Sequence, residues 1–137
     1  MIKRMPALRR GLMIGALVVA PLLTTVHAAD DPSIKGDLRS NIQQSMQTFI
    51  DNQTIDGKMF VYDPVDGRLL KLSFDSLHKG IVKKGDFYVS CADFVDQDGR
   101  KIDLDFLVRP AQSELIATQA IVHSIDGKKR KYHLESK

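Results

Sequence analysis

The apolar positions change period once along the chain. Between Ala29 and Thr54 they recur every three or four residues, with Ile34, Leu38, Ile42, Met46, Phe49 and Ile50 on one stripe of an otherwise polar segment. That spacing predicts one amphipathic helix lying on another element. Asp31 stands where a cap is needed and Pro32 at the first helical position, where a missing N–H costs nothing. Gly36 weakens the first turn, so the firm part is expected from Asp37 onward.

Beyond the helix the period becomes two. The stretch "KMFVYDPVDGRLLKLSF" reads as two strands around "DPVDG", with Leu70, Leu72 and Phe74 alternating with Lys71 and Ser73. "FDSLHKG" reads as a single helical turn between Asp75 and Gly80. "GIVKKGDFYVSCADFVD" then leads into a hairpin with "KIDLDFLV", and "SELIATQAIVHSIDGKKRKYHLE" forms a last hairpin. Asp-Gly occurs at 56–57, 66–67, 98–99 and 126–127, each time where the apolar pattern breaks, as hairpin turns require. Their unequal intervals exclude a repeat protein. The expectation is a single α+β domain: an N-terminal amphipathic helix on a curved antiparallel sheet of five or six strands.

One hairpin carries the chemistry. "DQDG" suits a type I turn followed by a left-handed glycine at Gly99. The resulting register faces Asp96 with Arg100, Phe94 with Ile102, Ala92 with Leu104, Ser90 with Phe106 and Tyr88 with Val108, a largely apolar face suited to lie under the helix. The other face pairs Val95 with Lys101, Asp93 with Asp103, Cys91 with Asp105 and Val89 with Leu107. A one-residue slip would mix the two sets. Two facing carboxylates about 5 Å apart repel by roughly 1–3 kcal/mol. Lys101, diagonal to Asp93, is the expected offset on what reads as a solvated face.

The first 28 residues change the charge picture. "MIKRMPALRR" carries Lys3, Arg4, Arg9 and Arg10 and no acid, and an apolar run and "VHA" follow it. This order is that of a secretory signal cleaved after Ala28, and the apolar run is short of the roughly 20 residues needed to span a bilayer. The expected domain is residues 29–137, with a periplasmic or secreted location and no membrane span after cleavage. The whole chain has 20 basic and 17 acidic residues. Removing four basic residues leaves 16 against 17, so the isoelectric point of 9.0 belongs mostly to the leader. That argues against nucleic acid as a partner.

A lone cysteine cannot form an internal disulfide, and in an oxidising compartment it is buried, reactive, liganded or paired between chains. Cys91, Asp93, Asp103 and Asp105, with His78 or His123 folding over them, would suit zinc or another divalent metal. A cysteine nucleophile would need a histidine and an acid arranged in a cleft, and Cys91 falls mid-strand. Redox Cys-x-x-Cys, phosphate-loop and nucleophile-elbow patterns are missing, so the reading leans away from an enzyme. The basic run Gly127–His133 reads as a solvated edge strand whose lysines block pairing between sheets, with docking to an acidic partner or an anionic membrane surface as the alternative.

"LHKGIVKKGDFYVSCADFVDQDGRKIDLDFLV", Leu77 to Val108, resembles a family of small uncharacterised exported bacterial proteins, and the order helix-then-meander is similar to the cystatin-like and NTF2-like folds. The resemblance implies fold and location and brings no activity with it. The cystatin inhibitory turn Gln-x-Val-x-Gly is missing, since "QAIVH" lacks its glycine. The resulting expectation is a non-enzymatic binding domain that holds a ligand or protein between helix and sheet, lined by Tyr62, His78, Phe87 and Tyr88. A metal-binding protein centred on Cys91 is the alternative, and a small NTF2-like enzyme the third reading.

Overall fold

The computed structural model describes residues 29–131, so the expected signal peptide and His133 lie outside the described residues. Helix α1 runs Gly36–Gln53. Strands β1 (Thr54–Ile55), β2 (Lys58–Asp63), β3 (Arg68–Lys84), β4 (Phe87–Val95), β5 (Lys101–Ala111), β6 (Glu114–Ile125) and β7 (Lys128–Lys129) follow. Each pairs antiparallel with its sequence neighbours in one sheet of order β1 to β7. Among the described residues the sheet therefore has seven strands, not the expected five or six. The additions are two-residue strands: β1 folds back on β2 across Asp56-Gly57, and β7 on β6 across Asp126-Gly127. No hydrophobic alternation can register in two residues, which is why the count fell short.

The start of the helix also differs from expectation. Asp31 does not cap α1; its carboxylate accepts from the backbone N–H and hydroxyl of Ser33 in a turn that precedes it. Lys35 occupies the cap position, with no side-chain cap bond. The stripe that packs is Ile42, Met46 and Ile50, one helical turn apart, while Leu38 is 37% exposed. Ile34 enters the core from the preceding turn. No helix among the described residues is long and apolar enough to cross a membrane.

The core lies between α1 and one face of the sheet. Leu70, Leu72, Ile81, Ala92, Phe94, Ile102, Leu104, Phe106 and Val108 are all fully buried there. Phe49 of α1 meets Phe106 edge-on at 5.8 Å, and Phe106 in turn lies beside Phe94 at 6.4 Å. Each such side chain contributes about 1.5–3 kcal/mol through loss of apolar surface to water. The β4–β5 register follows the alternation residue for residue, from Tyr88↔Val108 to Val95↔Lys101. Gly99 takes φ +77°, a conformation costly for residues with a Cβ, and its N–H donates to the Asp96 carbonyl at 3.1 Å. The Asp96 carboxylate closes the turn by accepting from the backbone N–H groups of Asp98 and Arg100 and from Arg100 Nε.

Segment 74–80 is strand, not the expected helical turn. β3 continues through it with two irregularities against β4, one between Phe74 and Ser76 and one between Leu77 and Ile81. Asp75 is one extra residue, and His78, Lys79 and Gly80 stand opposite Cys91 alone, so the ladder bulges at both places. Polar and glycine residues that would suit a turn are here accommodated without leaving the sheet. At the far end, Arg130 is not the expected solvated cation: it forms ion pairs with the buried Asp63 and with Asp66, joining the end of β2 to the residue after β7. Lys128 and Lys129 are exposed on the edge strand.

Candidate metal centre

The face of β4–β5 turned away from α1 carries Cys91, Asp93, Asp103 and Asp105, as the register requires. It is not a solvated face at its centre. Cys91 and Asp105 are completely buried and Asp93 nearly so. The residues that close over them come from both flanking strands, and from irregular positions in each. His78 is the first extra residue of the β3 bulge opposite Cys91, between Leu77↔Ala92 and Ile81↔Ser90. His123 is the extra residue of a β6 bulge, between Ser124↔Asp103 and Val122↔Leu104. A bulge re-aims a side chain that a regular ladder would send elsewhere. Two bulges, one on each side of the hairpin, bring two imidazoles to one thiol.

The inner group is Cys91, Asp105 and His123. Cys91 Sγ lies 3.0 Å from Asp105 Oδ1, and His123 Nδ1 lies 2.7 Å from the same oxygen. The three residues are all buried. One donor atom from each falls within 4.8 Å of the others, a spacing that a metal ion can bridge. The outer group is His78, Cys91 and Asp103, which meets the same criterion and shares the cysteine. Its histidine is 23% exposed.

Charges around the outer group are arranged unevenly. Lys101 Nζ reaches Asp93 Oδ2 at 3.2 Å, the diagonal pair expected from the register. His78 Nε2 lies 3.0 Å from Asp93 Oδ1, an ion-pair distance without the alignment of a hydrogen bond. Asp93 thus belongs with Lys101 and His78 rather than to either donor group. Burial pushes the Asp103 carboxyl up to about 6; the nearby imidazoles of His78 and His123 oppose the rise, and Asp93 and Asp105 add to it. Among the described residues, Asp103 Oδ1 and His78 Nδ1 are buried atoms with no hydrogen-bond partner. Such atoms cost about 1–3 kcal/mol each unless a ligand or water satisfies them.

The β3 bulge is held from the helix side. Arg39 of α1 donates to the Lys79 carbonyl and pairs with Asp30, whose carboxylate accepts from the Ile81 N–H at 3.0 Å. The hydrogen bond from the Arg39 guanidinium, more than that from the Ile81 N–H, holds the Asp30 carboxyl below its ordinary value. On the sheet itself the Ser90 hydroxyl donates to the Gly80 carbonyl at 2.7 Å. The segment that presents His78 is therefore anchored to α1, to the N-terminal turn and to β4.

The aromatic lining expected between helix and sheet is dispersed. Tyr62 is 62% exposed on β2, Phe87 and Tyr88 are half-buried at the start of β4, and Tyr88 packs against the core. A groove of about 520 Å³ does open between α1 and β6, but other residues form it. Asn41, Gln44 and Asn52 line the helix side, and Ser113, Glu114 and Leu115 the sheet side. Helical spacing puts the three amides on one wall, and the packing of α1 against β6 supplies the other.

No known protein family, curated protein or solved structure matches the chain. The chemistry of the centre rests on its own geometry. A thiol, a carboxylate and an imidazole are the donors that a borderline divalent ion takes, and zinc accepts all three in tetrahedral sites. The inner group offers three donors and the outer group supplies no fourth within the same reach.

Proposed function

We propose that this chain is an exported, non-enzymatic metal-binding protein that holds a divalent ion, zinc foremost, between Cys91, Asp105 and His123. The observation that carries the reading is the convergence of three different donor types on one buried point, two from adjacent strands and one from a bulge. Soft and borderline donors together disfavour magnesium and calcium, which take oxygen alone. Burial of all three donors suits retention of an ion rather than turnover of a substrate. With protons in place of the ion, the same groups remain mutually hydrogen-bonded through Asp105 Oδ1, so the site has a stable unliganded form. Zinc would replace the thiol proton, since the thiolate is the ligand.

The test is native mass spectrometry of the purified protein after exposure to zinc and removal of excess. One retained zinc per chain is expected, lost in Cys91→Ala and in His123→Ala while circular dichroism stays that of the parent. A parent protein that retains no ion would end the reading.

A second reading is carried by the groove between α1 and β6. Its amide-rich wall suits a neutral ligand that offers both donors and acceptors, consistent with a binding domain that uses the space between helix and sheet. An organic mass that co-purifies, survives Cys91→Ala and is lost in Ser45→Trp, a substitution that fills the groove from the helix wall where Ser45 also lies, would support it.

A further inference from the structure

Cys91 belongs to two donor groups that do not merge into one. His78 and Asp103 satisfy the bridging distance with Cys91, and Asp105 and His123 satisfy it with Cys91, but the five do not satisfy it together. A single ion cannot touch all of them, and the sulfur is the hinge between two positions. The positions differ in access. The inner one is closed, with its cysteine and carboxylate fully buried and its imidazole 4% exposed. The outer one has a histidine open to solvent along part of its ring.

We propose that the outer position, His78–Cys91–Asp103, is the doorway through which a thiophilic divalent ion reaches and leaves the inner position, passing across the Cys91 sulfur. This rests on the metal-binding reading above. A hydrated ion cannot enter a closed site in one step; it must exchange waters for protein donors in sequence. Asp103 Oδ1 and His78 Nδ1 are buried and unpartnered among the described residues, so no hydrogen bond need break when they replace waters of the entering ion. Asp93 also has an unpartnered oxygen, Oδ1, but Lys101 pairs with its Oδ2 and it belongs to neither donor group, which leaves Asp103 as the carboxylate of the outer position. The bulge that carries His78 is anchored through Arg39 and Ser90, which keeps the imidazole facing the thiol. Simultaneous occupancy is disfavoured: two ions on one sulfur would stand about 3.5–4 Å apart. The thiolate, Asp103 and Asp105 would supply three negative charges against four positive.

The experiment is stopped-flow transfer of zinc between the full protein and a chromophoric chelator, in both directions, with equilibrium competition measured alongside. In His78→Ala and Asp103→Asn, uptake and release are expected to slow together by about tenfold or more, since a doorway lowers the barrier in both directions. The dissociation constant should stay within about threefold of the parent and the stoichiometry at one, because a transit position does not change the end states. His78→Gln, which keeps size and polarity, guards against a collapsed bulge and should slow transfer likewise. Unchanged rates, faster release with unchanged uptake, or two ions per chain would overturn the proposal while leaving the inner site standing. A parent protein that takes up no zinc would instead remove the reading beneath it.

Discussion

The two faces of the β4–β5 hairpin are built from one ladder and could hardly differ more. Toward α1, Ala92, Phe94, Ile102, Leu104 and Phe106 are fully buried in an apolar core. Away from it, a thiol and three carboxylates alternate with them, joined by two histidines from the flanking strands. The apolar face meets regular partners: Phe94 faces Phe74 on β3, and Phe106 faces Ala120 on β6. The polar face meets irregular ones, His78 and His123, each the product of a bulge. Regular pairing fills the core, and departures from it gather the donors. The difference teaches that the two faces can be perturbed separately, because side chains on opposite faces share only backbone.

The largest effect should come from the packed face. Phe106→Ala is expected to lower unfolding free energy by about 3–5 kcal/mol, read from denaturant titration, because it empties the space between Phe49 and Phe94. Zinc sharpens the contrast from the other side. At free zinc about 100 times its dissociation constant, the parent should gain about 2.7 kcal/mol of stability and His123→Ala none. A gain retained in His123→Ala would mean that zinc binds elsewhere.

The turn that sets both faces should matter less. Asp96→Ala removes acceptors for two backbone N–H groups and Arg100, at a cost of about 1.5–3 kcal/mol. Burial pushes the Asp96 carboxyl up, but the hydrogen bonds from Arg100 and Asp98 outweigh it and hold the value below 3.8. Its contribution is therefore present above pH 3.8 and lost as pH falls through the lowered folded value. The acid limb of the stability curve should flatten in Asp96→Asn. The smallest effect belongs to Lys101→Ala, whose side chain is 63% exposed, so less than about 1 kcal/mol is expected. A larger loss would show that Asp93 depends on it more than solvent screening allows.

The hairpin was legible because alternation and a turn glycine act on the same few residues. Gly99 and the row Phe94, Ile102, Leu104 and Phe106 define a register that any slip would wreck, and the folded pairs match it. The helix stripe was legible from Ile42 to Ile50 for a similar reason, and it failed at Leu38, which is left exposed. The thiol and acids could be placed on one face, but not their burial. That depends on His78 and His123, and a bulge leaves no periodic trace. "DSLHKG" reads as a turn because bulges and turns use the same residues. The alternation of "AIVHSI" gives no sign that His123 is an extra residue. The groove was out of reach too, since its walls come from segments some 60 residues apart that only packing unites.

The most direct measurement is X-ray absorption at the zinc edge of the loaded protein. A thiolate site of this composition predicts one sulfur scatterer at about 2.3 Å and nitrogen or oxygen scatterers at about 2.0 Å, with the sulfur shell lost in Cys91→Ser. A spectrum of light scatterers alone, or a sulfur shell that survives Cys91→Ser, would contradict a centre built on Cys91, Asp105 and His123.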